Sequence, residues 1–127
     1  MKLSDAEWRI MTVIWLRHPL SAREVLEALP RGPDRAYTTV KTQLTRLVAK
    51  GALKETHAGT ASLYAPRVGA AQARRFALRR FVERAFGGYA PLLHFLVEEH
   101  ELSEADRAEL RRLLELPGAA RHGKGAR

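Results

Sequence analysis

YTTVKTQLTRLVAKG, residues 37–51, decides the fold of this chain. Val40, Leu44, Leu47 and Val48 recur at i, i+4, i+7 and i+8, the apolar stripe of an amphipathic helix. The other face carries Thr38, Lys41, Thr42, Thr45 and Arg46, with Lys50 toward the end and no acid. Gly51 stands where a left-handed C′ residue stops a helix. Short hydroxyls and long cations, on a helix whose opposite side is pinned to a core, suit insertion into a DNA major groove. Lys and Arg reach phosphates or guanine edges, and threonines offer a methyl or a hydroxyl to bases. A solvated basic face is the plainer reading of the same residues. The neighbouring segments decide between them.

Upstream, Ser4 and Glu7 form an S-x-x-E capping box, with Leu3 and Trp8 at the positions of a hydrophobic staple. Trp8, Ile10, Met11, Ile14 and Trp15 give the first helix a broad apolar face, and His18-Pro19 ends it. Ser21 and Glu24 repeat the box, with Leu20 and Val25 as a second staple, and open a short helix that stops at Pro30. Gly32, Pro33 and Asp34 mark a turn before residue 37. The order helix, tight turn, helix, turn, basic helix is the helix-turn-helix pattern, in which the later helix enters the groove. Past Gly51 the period changes. Residues 53–57 and 62–66 read as two strands around Ala58-Gly59-Thr60, a β-hairpin placed as a wing. Lys54, His57, Gly59 and Thr60 are its candidates for touching the DNA backbone. An ordinary hairpin capping the core is the alternative.

The chain has 127 residues and no cysteine, with 22 Lys and Arg against 14 Asp and Glu, a formal net charge of +8. That excess points to a polyanionic partner, double-stranded DNA before an anionic membrane surface. A hydrophobic content of 46% supports a packed core. No stretch is long and apolar enough to span a bilayer, and MKLSDAEWRI lacks the apolar centre of a signal peptide, so a cytoplasmic location is expected. Without cysteine, disulfides and thiolate chemistry are excluded.

Beyond Val68-Gly69 the character shifts to helices at residues 70–86, 91–100 and from Ser103 onward, the first broken by Gly87-Gly88. The expected division is a DNA-binding domain at 1–68, a helical dimerisation domain at 69–116 and a basic tail at 117–127. Phe76, Phe81, Leu92, Leu96, Leu110, Leu113 and Leu114 are too many apolar groups for three such helices to bury among themselves, which implies a homodimer interface. Leu110, Leu113 and Leu114 are the expected buried edge of the last helix. Packing of all three helices back on the winged domain, as a monomer, is the alternative.

No catalytic constellation is expected. His18, His57 and His122 are scattered, the serines are caps, and no phosphate-binding loop is present. No cofactor is expected and no metal site, although His94, Glu98 and His100 lie close in sequence and leave a metal- or ligand-sensing regulator as an alternative. A protein-interaction module with a merely solubilising basic face is another.

LSDAEWRIMTVIW, YTTVKTQLTRLVAKG and LYAPRV, in this order, resemble the penicillinase repressor family (BlaI/MecI type), with CopY-type copper repressors as relatives. The resemblance covers the chain up to the basic tail. It implies a winged helix-turn-helix domain, a helical dimerisation domain, and repression by occupancy of palindromic operators, commonly of β-lactamase or related genes. It also implies relief of repression by a regulatory protease cutting an Asn-Phe bond in the dimerisation domain. The matching bond here is His94-Phe95, so the family pattern is met on one side only. A CopY-type copper response would need C-terminal cysteines, which this chain lacks.

Overall fold

The computed structural model describes residues 1–32 and 35–118. The expected turn at Pro33-Asp34, and the tail from residue 119 on, lie outside the described residues. The elements are α1 (Asp5–Leu16), β1 (Leu20–Ser21), α2 (Ala22–Ala28), α3 (Tyr37–Lys50), β2 (Leu53–Ala58), β3 (Ala61–Pro66), α4 (Ala70–Ala85), α5 (Tyr89–Glu98) and α6 (Glu104–Leu114). Mostly helical, with a small antiparallel sheet of order β1-β3-β2, this is a winged helix-turn-helix followed by further helices.

Both N-terminal capping boxes form. Ser4 and Ser21 each accept a hydrogen bond from the amide three residues on, and Glu7 and Glu24 each accept one from the cap amide. The amides that a helix start leaves unpaired are thereby satisfied. Gly51 closes α3 at φ +84°, a left-handed conformation that glycine adopts without steric cost. The wing turn is tighter than the expected three residues. Ala58 pairs with Ala61, leaving only Gly59 and Thr60 between the strands. Gly59 has φ +64°, as the first turn residue of a type II′ hairpin requires.

The third strand was not foreseen. Leu20 pairs with Tyr64 and Ser21 with Leu63, so the residues expected only as staple and cap also pair with the wing. A two-residue strand has no periodicity to betray it.

The core joins Ile10, Met11 and Ile14 of α1, Val25 of α2, Val40, Leu44 and Leu47 of α3, and Leu53 and Tyr64 of the sheet. Trp15 adds a long-range tie, its indole N–H donating to the Val68 carbonyl at 2.9 Å. One charged group is buried with them. Glu7, 2% exposed, accepts hydrogen bonds through Oε1 from the Ser4 amide at 2.8 Å and from Lys50 Nζ at 2.6 Å. Lys50 also donates to the Lys2 carbonyl at 2.9 Å. The start of α1 is thus held to the end of α3.

The compact units divide inside α4, between Arg80 and Phe81, rather than at the shift in residue character near Val68-Gly69. Composition changes at the linker, whereas compactness follows burial, and Ala73 of α4 is already a buried residue of the first unit. In the second unit Phe86 packs edge-on against Phe81 and tilted against Phe95, with ring centroids 5.9 and 5.4 Å away. Ser103 and Asp106 cap α6 as expected. Leu110, Leu113 and Leu114 are not a buried edge within the chain: all are exposed, Leu114 at 66%. Neither α5 nor α6 contains a buried residue. Two short helices have too little surface to cover each other's apolar sides. Among the described residues no helix is long and apolar enough to cross a membrane.

Burial pushes the Glu7 carboxyl up, but hydrogen bonds from Lys50 and Ser4, together with the Lys50 charge, bring it below the ordinary glutamate value. The pair's contribution to stability is complete above about pH 4.3, the ordinary glutamate value, and fades as pH falls through the lower folded value. Lys50→Met strands a buried carboxylate. Because Lys50 is itself partly exposed, the expected cost is about 2 kcal/mol near neutral pH, below that of a fully buried pair. Urea unfolding checks this: the gap to the parent chain narrows toward about pH 3. An equal gap at both pH values contradicts the assignment.

Candidate nucleic-acid interface

The core side of α3 is fully engaged, so its other face is left to solvent. Thr38, Thr42, Thr45 and Arg46 are all exposed, and Lys41 is half-buried. With Tyr37, these residues line one shallow depression. Five of the side chains expected to read DNA are therefore brought together. Arg46 has no ion pair among the described residues, so its guanidinium keeps its donors for an external acceptor.

The threonines are more specific than their composition suggested. Thr42 Oγ1 donates to the Thr38 carbonyl at 2.9 Å, and Thr45 Oγ1 donates to the Lys41 carbonyl at 3.0 Å. Each hydroxyl has one proton, and it is used within the helix. What remains for a partner is a methyl group and an acceptor oxygen. The first helical amides are differently placed: Ala36 is the N-cap and offers no side-chain cap. Unpaired amides at a helix start favour an anion.

Lys41 behaves unlike its neighbours. Its Nζ donates to the Tyr64 hydroxyl at 3.0 Å and lies 5.6 Å from the centre of that ring. The hydrogen bond to Tyr64 is the main reason the Lys41 ammonium is held above the ordinary lysine value; burial opposes it, and the Glu55 carboxylate adds a smaller attraction. Tyr64 was not among the residues singled out from sequence. A buried tyrosine hydroxyl that must find a partner was the available signal. The second unforeseen contact is the Arg23 guanidinium of α2, 5.2 Å over the Tyr37 ring, which adds a cation at the edge of the α3 face.

Lys50 is not part of that face in its present arrangement, because its ammonium is bound to Glu7 and the Lys2 carbonyl. Residues at a helix end can follow the polar stripe in sequence and still turn toward a buried carboxylate. On the wing, Lys54, His57, Gly59 and Thr60 are exposed, and β2 buries only Leu53. The wing is thus a projecting arm. In the second unit His94 Nδ1 lies 3.8 Å from Glu98 Oε2, but among the described residues no three such side chains converge to hold a metal ion.

Comparison with known proteins agrees with this geometry. The family model for the penicillinase repressor matches residues 3–116. The penicillinase repressor of Bacillus licheniformis is 31% identical over 116 residues, covering 90% of both chains. The methicillin resistance regulatory protein MecI of Staphylococcus aureus (strain N315) is 28% identical over 114 residues, covering 89% of this chain and 93% of its own. The solution structure of the DNA-binding domain of the repressor BlaI matches with a TM-score of 0.50 and 32% identity, covering 56% of this chain and 87% of that domain. This chain belongs to the penicillinase repressor family.

Proposed function

We propose that this member of the penicillinase repressor family is a sequence-specific DNA-binding transcriptional repressor, acting as a homodimer on palindromic operators in the cytoplasm. One observation carries the reading. The single face of α3 that the core leaves free collects Thr38, Lys41, Thr42, Thr45 and Arg46 in one depression and holds no acid. Inserted into a major groove, the Thr42 and Thr45 methyl groups suit thymine methyls, and their oxygens accept from adenine or cytosine amino groups. Arg46 is the candidate for a guanine edge or a phosphate. Thr38 and the uncapped start of α3 take a phosphate, and Lys54, Gly59 and Thr60 of the wing follow the backbone. Repression is by occupancy, with no catalytic step.

The dimer places a second copy over the apolar groups that the chain leaves open, including Phe81, Leu110, Leu113 and Leu114. Half-covered Leu92 and Leu96 lie between Phe81 and Leu110 in sequence. Two recognition helices related by a two-fold axis then read two half-sites. A regulatory protease that relieves repression meets His94 and Phe95 in α5, where both are exposed. Cutting there separates part of the dimer surface from the DNA-binding unit. The regulated genes are of the β-lactamase or sensor-protease class by kinship.

Selection from a random-sequence duplex pool tests the central reading. A recovered palindrome bound far more tightly than its scramble, with a steep loss of affinity as salt rises, is the expected result. No enriched sequence overturns it. On the recovered duplex, Arg46→Ala costs about 1–3 kcal/mol and relaxes preference at one position if the guanidinium holds a base. Equal loss on the scramble instead makes Arg46 a phosphate contact.

Leu113→Glu weakens the dimer and with it binding to the two-half-site duplex. Sedimentation velocity reads the first effect and anisotropy the second. A dimer unchanged by the substitution removes α6 from the interface.

A further inference from the structure

Lys41 and Tyr64 come from different parts of the fold. Lys41 projects from α3, and Tyr64 is on the central strand of the sheet, between Leu20 of β1 and Glu55 of β2. Tyr64 is only 1% exposed and belongs to the core, so its ring is held by packing on all sides. Its hydroxyl nevertheless meets Lys41, a residue that lines the depression on α3, and accepts from Lys41 Nζ at 3.0 Å. A lysine side chain has four rotatable bonds, and its ammonium is ordinarily free to sample many positions. Here it is anchored at its tip by a group that cannot move. One of its three N–H donors is used, and two remain.

We propose that Tyr64 is a positioning residue for operator recognition, fixing the Lys41 ammonium at one point of the α3 face so that it reads DNA as a placed donor rather than a diffuse charge. The inference rests on the DNA-reading function proposed above and adds a residue that never enters the groove. Its physical basis is the difference between charge and position. A mobile ammonium attracts any phosphate, in any sequence, to a similar degree. An ammonium held at a defined point discriminates among the groups presented to it, because the correct one is met without further ordering. The same bond ties the wing strand β3 to the recognition helix, so the two DNA-facing elements share one reference point. Glu55, through its carboxylate, and Tyr37 are the other titratable groups that act on Lys41. Glu55 is exposed on β2 and Tyr37 is exposed at the start of α3. Neither has the buried, fixed setting of Tyr64.

The test is a double-mutant cycle on the full chain, using Tyr64→Phe, Lys41→Met and both together. Tyr64→Phe keeps the packed ring and deletes the acceptor. Affinities are measured for the duplex recovered by selection and for its scramble, with the melting temperature of each variant as the control for folding. Tyr64→Phe is expected to lower the ratio of specific to scrambled affinity by about three- to tenfold, the range of one lost hydrogen bond. Scrambled binding and its salt slope should stay unchanged, because the charge is still present. In the Lys41→Met background, Tyr64→Phe should have no further effect. A merely structural tyrosine would weaken binding equally in both backgrounds, and additive losses overturn the proposal. An unchanged ratio for Tyr64→Phe overturns it as well. Should Tyr64→Phe fail to fold, Lys41→Arg retains the charge while altering the group that Tyr64 holds, and the same drop in ratio is required. A parent chain with no preference for any duplex overturns the repressor reading itself, and this inference with it. A parent chain that discriminates while the cycle is additive overturns the inference alone.

Discussion

The contact on which the rest of the winged unit depends is the ion pair between the buried Glu7 carboxylate and the partly exposed Lys50 ammonium. Glu7 serves two structures at once, because its Oε1 accepts both from the Ser4 amide that opens α1 and from the ammonium that ends α3. A carboxylate at 2% exposure is tolerated only with such partners, since burial without them disfavours its charged form. The consequence is positional. With its end tied to α1 and Val40, Leu44 and Leu47 packed in the core, α3 cannot rotate about its own axis without breaking apolar contacts and an ion pair together. The polar face is thereby aimed outward by necessity.

What that face can do follows from which of its donors are already occupied. Thr42 and Thr45 turn their protons inward to the helix, and Lys41 gives one donor to Tyr64, whereas Arg46 has no ion pair among the described residues. A surface described only as basic and hydroxyl-rich becomes a defined arrangement of methyls, acceptors, one placed ammonium and one guanidinium. Charge supplies attraction to any duplex, and the arrangement supplies discrimination.

Much of this was legible in the sequence, for identifiable reasons. The capping boxes at Ser4, Ser21 and Ser103, the left-handed stop at Gly51 and the stripe of α3 are local devices, set by residues within a few positions of one another. The same locality brought Thr38, Lys41, Thr42, Thr45 and Arg46 to one face. What escaped depends on long-range partners. Lys50 lies near the polar stripe of α3, but its partner Glu7 is at the far end of the sequence unit and looked like nothing more than a capping residue. Tyr64 read as an ordinary strand residue because its partner lies on a helix in a preceding segment. β1 was too short to show a pattern, and the exposure of Leu110, Leu113 and Leu114 among the described residues is something helical periodicity does not encode.

The most direct test of the central claim is to map where DNA touches this chain. Backbone amide shifts of the isotope-labelled protein, followed through a titration with the selected duplex, report contact residue by residue. The largest changes are expected along residues 37–46 and at the wing turn around Gly59 and Thr60, with Glu7 and the end of α3 near Lys50 little affected. Shifts concentrated elsewhere, on α1 or on α5 and α6, with the α3 face silent, would contradict that claim.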